Sequence, residues 1–313
     1  MLTVVTGAHG FLGRHIVSRL AADGHQVLAV DRKAFVGQVV EGVQYHLSDL
    51  EDPATLIPPD CEPVGRFALV HLAWDLRSRE TSYKVQSEQV TTLAGLLDTW
   101  TGKGLSYVIA PGSAQEYGAK GGVLAEGVQP EEPLSPYGWA KRATFEMASS
   151  WSRRSGVGLL WLRPFIIYGP GQAGSMLVPY AVRQAMHGEQ ADFTDGKQTR
   201  DFVYVDDVVE AFSRGLGQQP QGIHELNLGS RDPVQVCDVL AAIADQFQAR
   251  DNFHFGAKPR RLAEPDVQVA DCTRAEQVLG WTPQVGWREG VRRICDDGRW
   301  PMGDGRWAMG YGR

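Results

Sequence analysis

Residues 2–31, LTVVTGAHGFLGRHIVSRLAADGHQVLAVD, restrict the fold more than any other stretch of the chain. A short β-rich run ends in a turn carrying Gly7, Gly10 and Gly13. Apolar residues at helical spacing follow as far as Gly24, and a second β-rich run closes on Asp31. Strand, glycine turn, helix and strand in about 30 residues make a βαβ unit. The spacing is GxxGxxG. Between a strand and a helix, the first glycine permits the tight turn and the second lets a pyrophosphate reach the backbone. The third lets helix and strand pack closely. Unpaired N–H groups at the helix N-terminus complete an anion site.

The alternation continues. VQYHLSD, FALVHLAW, LSYVIAPGS and VGLLWLRP read as buried parallel strands, with a helical stretch near 82–101 between the second and third. SPYGWAKRATFEMASSWSRRSG reads as a strong helix, with Ser135 to cap it, Pro136 in its first turn and Gly156 to end it. The expected fold class is α/β: a doubly wound parallel sheet with a smaller, interleaved C-terminal lobe. From about residue 170 the pattern changes to loops, short strands and a helix at 233–249. The expected division is a dinucleotide-binding domain over 1–169 plus part of 197–230, and a substrate lobe over 170–196 and 231–297. The Gly- and Trp-rich end, GRWPMGDGRWAMGYGR, reads as a flexible tail over 298–313.

Charge limits the partners. The net charge is −6 and the pI about 5.8, so neither nucleic acid nor an anionic membrane is expected as the main partner. No apolar run approaches a membrane span, and the N-terminus begins at once with a strand-like run, so the expected location is cytoplasmic. The cysteines (Cys61, Cys237, Cys272, Cys295) are widely spaced, and the eight histidines never sit at ligand spacing with other donors. Reduced thiols and no metal site are expected.

Asp31 ends the second strand, 18 residues after Gly13. A carboxylate there accepts hydrogen bonds from both adenosine ribose hydroxyls and repels a 2′-phosphate, which favours NAD. Arg32 and Lys33 follow and can accommodate a 2′-phosphate, so NADP is the alternative. Asp49, in LSDL, sits where a third strand would end. It is placed either for the adenine edge or as a solvated turn residue.

YGWAK puts Tyr137 and Lys141 four apart on one helical face. A phenol of ordinary pKa, about 10, is a poor base at neutral pH. A nearby ammonium and an oxidised nicotinamide both favour the phenolate. Tyr137 can then take a proton from a sugar hydroxyl, and Lys141 can also hold the nicotinamide ribose. The pair lies downstream of a strand end carrying Ser113.

Together, Gly7-Gly10-Gly13, Asp31, Ser113, Tyr117 and Tyr137/Lys141 resemble an extended short-chain dehydrogenase/reductase of the nucleotide-sugar epimerase/dehydratase kind. RPFIIYGPG (163–171), TRDFVYVDDV (199–208) and LGW (279–281) resemble later motifs of that family. The likeness implies a nucleotide diphosphate sugar as substrate, with Ser113 hydrogen-bonding its reacting hydroxyl. It implies a cofactor wall of Phe11, Leu12, Leu50, Leu72, Ala73 and Pro164. Arg200 and Arg261 match the arginines that contact the diphosphate, and two guanidiniums suit such an anion. Phe193 falls where a side chain packs on the nucleobase. A homodimer through a four-helix bundle, built from the helices near 82–101 and 136–153, is also implied.

The chain departs from the family at Ile166 and near Gln89, where asparagine is frequent, and at Trp74, where a small residue is frequent. Trp74 is expected to shape the sugar pocket, with Gln115 and Ile166 also facing the substrate. The stretch PGSAQEYG (111–118) bears on the reaction. Related dehydratases carry acids directly after the Ser/Thr, at the positions of Ala114 and Gln115, and neither of these moves protons at neutral pH. Glu116 comes one place later and, on an extended segment, faces the other way. Tyr117 is expected to shape the pocket wall. These readings place C4 epimerisation first and 4-ketoreduction second, ahead of 4,6-dehydration or a non-catalytic NAD-binding sensor.

Overall fold

Val4 and Val5 point to opposite faces of the first strand and both are fully buried, so the sheet is covered on each side. The computed structural model describes residues 1–34, 39–61, 65–76, 78–132, 134–297, 300–301 and 307–308. Its main sheet has seven strands: β1 (Leu2–Thr6), β2 (Gln26–Asp31), β3 (Val43–Leu47), β4 (Phe67–His71), β5 (Leu105–Pro111), β6 (Gly158–Pro164) and β7 (Ile223–Leu228). Their spatial order is β7-β6-β5-β4-β1-β2-β3, and every neighbouring pair is parallel. The order reverses between β1 and β4. That switch point opens a crevice at the carboxyl ends of the strands.

On one face, α1 (Phe11–Ala22) packs against α5 (Val205–Gln218); on the other, α2 (Tyr83–Trp100) packs against α3 (Pro136–Ser155). Val5, Ala29, Val70 and Ile109 join Ile16, Val17 and Leu20 of α1. Val4, Leu28, Leu69 and Val108 join Leu93, Leu96 and Leu97 of α2. Ser135 caps α3 by accepting from the Gly138 N–H at 3.0 Å, and Gly156 ends it in the left-handed conformation. The edge strand β3 is half exposed, so VQYHL is not the buried strand its apolar residues indicated.

The remaining segments add a smaller, largely helical part to this sheet. It contains α4 (Leu177–His187), α6 (Val236–Gln246), α7 (Thr273–Leu279) and α8 (Trp287–Asp296) with short strand pairs. Ala191–Phe193 pairs with Phe253–Phe255, and Thr199–Arg200 pairs with Val267–Ala270. The helix expected at 233–249 is shorter, because Val234 and Gln235 are spent pairing with Thr199 and Arg200. Of the tail, Trp300–Pro301 pairs antiparallel with Trp307–Ala308; the rest of 298–313, and the flexibility expected for it, lies outside the described residues. No helix among the described residues is long and apolar enough to cross a membrane.

Candidate active site

The glycine turn carries the strictest steric demands. Gly7 has φ of 69°, and a Cβ there would lie 2.6 Å from the Ala73 nitrogen; one on Gly13 would lie 2.2 Å from the Gly7 oxygen. No side chain caps the N-terminus of α1 and no acid lies in its first turn, so an anion meets bare backbone N–H groups there. At the end of β2, the Asp31 carboxylate accepts from the backbone N–H of His9 and of Lys33, each at 3.0 Å. A carboxylate has about four acceptor sites, so two remain for ribose hydroxyls. Arg32 reaches toward Asp75 at 4.0 Å. These residues fit an adenosine ribose and a pyrophosphate.

Two adjoining cavities, of about 1140 Å³ and 640 Å³, share Gly7, Gly10, Leu72 and Trp74. Asp31, Arg32, Asp49, Leu50 and Ala73 line the smaller. Phe11, Leu12, Gly13, Ser113, Gln115, Tyr137, Lys141 and Pro164 line the larger, as do Ile166, Phe193, Arg200 and Arg261. The expected cofactor and substrate residues therefore line these adjoining cavities, whereas Tyr117 lines neither.

The stretch PGSAQEYG is not extended. Pro111 ends β5, and Ala114–Tyr117 forms a 3-10 turn closed by a capping box. The Ser113 N–H donates to Glu116 Oε1 at 2.8 Å, and the Gln115 N–H donates to Ser113 Oγ at 3.2 Å. Ser113 and Tyr137 line the same cavity, and the Ser113 side chain acts to lower the pKa of the Tyr137 phenol. Two glycines bring these parts together. A Cβ on Gly138 would lie 2.2 Å from the Gln115 oxygen, and one on Gly112 would lie 2.3 Å from Trp161 Nε1. Gln115 does not reach freely into the cavity: its Oε1 accepts from Ser135 Oγ at 2.7 Å, locking the turn to the cap of α3.

Glu116 is fully buried, and its carboxylate accepts from Arg163 Nη2 at 2.7 Å and Trp161 Nε1 at 3.1 Å. The expectation that it faces away holds, but because a helical turn directs it into the core. Tyr117 is a correction. It is 1% exposed, donates to Asn227 Oδ1 at 2.9 Å, and supports the turn from behind rather than shaping the pocket wall.

Burial pushes the Tyr137 phenol well above its ordinary range and Glu116 adds to this, while Ser113 and Arg79 oppose it. The lowering expected from Lys141 does not prevail in the protein alone. Burial pulls Lys141 down to about 7, with Glu116 opposing. Its Nζ donates to the Pro111 oxygen at 2.9 Å and lies 3.5 Å from the centre of the Trp74 ring. Beneath, His71 bonds Thr6 Oγ1 at 2.9 Å, and its pKa is depressed to about 3 by burial and then by Lys141.

In the outer part of the cleft each expected anion-binding arginine faces a carboxylate. Arg200 Nη2 pairs with Glu264 at 2.9 Å, and exposed Arg261 reaches Glu80 at 3.3 Å. Phe193 is nearly buried, stacked with Phe255 at 6.0 Å and edge-on to Tyr180. The sequence reading missed Arg79, which lines the larger cavity and whose carbonyl accepts the Tyr137 N–H at 3.0 Å. It also missed Gln86, which holds the Trp74 indole N–H at 2.8 Å. Arg79 is in a loop without periodicity, so no sequence signal marks it. Gln86 is a polar residue at a buried helical position, a signal visible once the face of α2 is known.

Residues 3–229 match the model of the family described as NAD dependent epimerase/dehydratase. A UDP-glucose 4-epimerase of Mycolicibacterium smegmatis is 29% identical over 314 residues, spanning 95% of this chain and 98% of that protein. A UDP-glucuronate 4-epimerase of Thermodesulfobacterium geofontis is 24% identical and spans 93% of this chain and 94% of that protein. Among solved structures, MoeE5 in complex with UDP-glucuronic acid and NAD aligns with a TM-score of 0.84 at 29% identity, covering 95% of this chain and 98% of that one.

Proposed function

The chain belongs to the NAD dependent epimerase/dehydratase family, and from that premise we propose that it interconverts nucleotide sugars at C4, with Tyr137 as its base. The observation that carries this reading is that Ser113, Tyr137 and Lys141 line one cavity continuous with the glycine turn, with Lys141 Nζ 5.7 Å from the centre of the Tyr137 ring. Relatives named as 4-epimerases, and a neighbour that binds a UDP-sugar with NAD, support it.

Bound NAD supplies the hydride acceptor and donor that takes the sugar through a 4-keto state. Tyr137 accepts the C4 hydroxyl proton at its phenolic oxygen and returns it. Burial opposes the phenolate, so its formation depends on gathered positive charge, to which Lys141 and Arg79 contribute from this chain. Ser113 bonds the reacting hydroxyl. Asp31 takes the ribose, while Asp49, Leu50, Leu72, Ala73 and Pro164 wall the cofactor. Arg200 and Arg261 exchange Glu264 and Glu80 for the diphosphate, and Phe193 packs against the base. Residues 1–169 with part of 197–230 hold the cofactor; 170–196 and 231–297 hold the nucleotide sugar. Pairing of α2 and α3 with those of a second copy would make a homodimer.

The test is to release the bound nucleotide by denaturation, identify it, and follow UDP-glucose and UDP-glucuronate by NMR. Retained NAD and appearance of the C4 epimer are expected. Turnover of only a 4-keto sugar, with consumption of reduced cofactor, would replace the epimerase with a ketoreductase.

A further inference from the structure

Trp74 stands just past the end of β4, and its indole face meets Lys141, with Nζ 3.5 Å from the ring centre. The same ring stands edge-on to Tyr137, at 88° and 5.9 Å between centroids. It is held in that attitude. Trp74 Nε1 donates to Gln86 Oε1 at 2.8 Å, and fully buried Gln86 in turn donates to the Asp75 oxygen at 2.8 Å.

Lys141 is 3% exposed, and among the described residues no carboxylate forms an ion pair with it. The titratable groups facing it are Tyr137 on its own helix, Glu116 from the 3-10 turn and His71 from β4. His71 is neutral at physiological pH, and Glu116 is committed to Arg163. A buried ammonium without a counter-ion is costly, and an aromatic face offsets part of that cost by its quadrupole. A carboxylate in the same place would also oppose formation of a phenolate on Tyr137, by like-charge repulsion. The indole stabilises the cation and adds no negative charge.

We propose that Trp74 is a positioning residue whose indole face, in place of a carboxylate, keeps Lys141 charged and aimed beside Tyr137. The proposal rests on the reading of Tyr137 and Lys141 as the reacting pair. Its test needs no substrate. In protein labelled with ¹⁵N-lysine, the Nζ resonance of Lys141, assigned with Lys141→Arg, is titrated against pH in the wild type, Trp74→Leu and Trp74→Phe.

The leucine variant is expected to lower the midpoint by about one pH unit, or ~1.4 kcal/mol. Phenylalanine, with a smaller aromatic face, is expected to lower it by less. If the leucine variant does not fold, the phenylalanine variant carries the test. An unmoved or raised midpoint in either folded variant overturns the proposal. Full turnover by Tyr137→Phe would instead overturn the proposed reaction and leave the titration standing.

Discussion

Arg163 Nη2 lies 2.7 Å from a Glu116 carboxylate oxygen, with both side chains fully buried. That pair sets what Glu116 can do. A buried carboxylate committed to a guanidinium, an indole N–H and the Ser113 amide is poorly placed to shuttle a substrate proton. Glu116→Gln should lose far less turnover than the about 10²–10⁴-fold typical of removing an acid or base. Breaking a buried pair costs roughly 3–5 kcal/mol. Glu225, which also bonds Arg163, should hold the loss at the lower end. Denaturant unfolding beside steady-state kinetics measures both, and a folded variant without activity would return Glu116 to the chemistry.

Tyr137→Phe removes only the phenolic oxygen. Turnover is expected to fall by about 10²–10⁴-fold, with a melting temperature close to that of the wild type. Single-turnover kinetics on the substrate found active would check it, and undiminished turnover would place the base elsewhere.

Lys141 carries a pH signature. Its pKa is depressed to about 7 in the fold from an ordinary 10.5, so between those values the unfolded chain binds more protons. Stability from this group therefore rises with pH across that window, and below about 7 the buried ammonium is a net cost. Lys141→Met should melt higher than the wild type at pH 6, and the gap should shrink as pH rises from 7 toward 10. Thermal unfolding at several pH values would decide it; a gap that widens with pH would contradict the assignment.

Gly138 lets α3 approach the 3-10 turn, and a Cβ there would come within 2.2 Å of the Gln115 oxygen. Gly138→Ala should push Tyr137 away from Ser113. A displacement of about 1 Å can cost on the order of 10²-fold in rate. The loss should fall on kcat, with affinity for UDP retained by calorimetry.

Arg200 is nearly buried beside Glu264, whereas Arg261 is 68% exposed beside Glu80. Charged hydrogen bonds contribute roughly 1.5–3 kcal/mol, and Arg200→Ala also leaves Glu264 facing the anion. UDP affinity should fall by about 10–100-fold for Arg200→Ala and by less for Arg261→Ala. Equal or absent effects in calorimetric titration would remove both from the diphosphate site.

Much of the fold was legible because its signals are local. The Gly7-Gly10-Gly13 turn, the cap at Ser135 and the apolar strands each depend on neighbours within a few residues, so their pattern survives in one dimension. The spacing of Tyr137 and Lys141 was equally readable from helical period. What a side chain meets across the sheet was not. Tyr117 reads as a pocket residue beside Ser113, yet it points into the core because a 3-10 turn, not a strand, follows β5.

The sequence by itself determined the parallel doubly wound sheet, the dinucleotide turn and the identity of the Ser113, Tyr137 and Lys141 groups. Only the tertiary structure decided their electrostatics. Arg163 is 47 residues from Glu116, and Trp74 arrives from the segment after β4 to cover Lys141 on α3. Desolvation and pairing depend on which distant groups the fold brings within a few ångströms, and linear spacing carries no record of that distance.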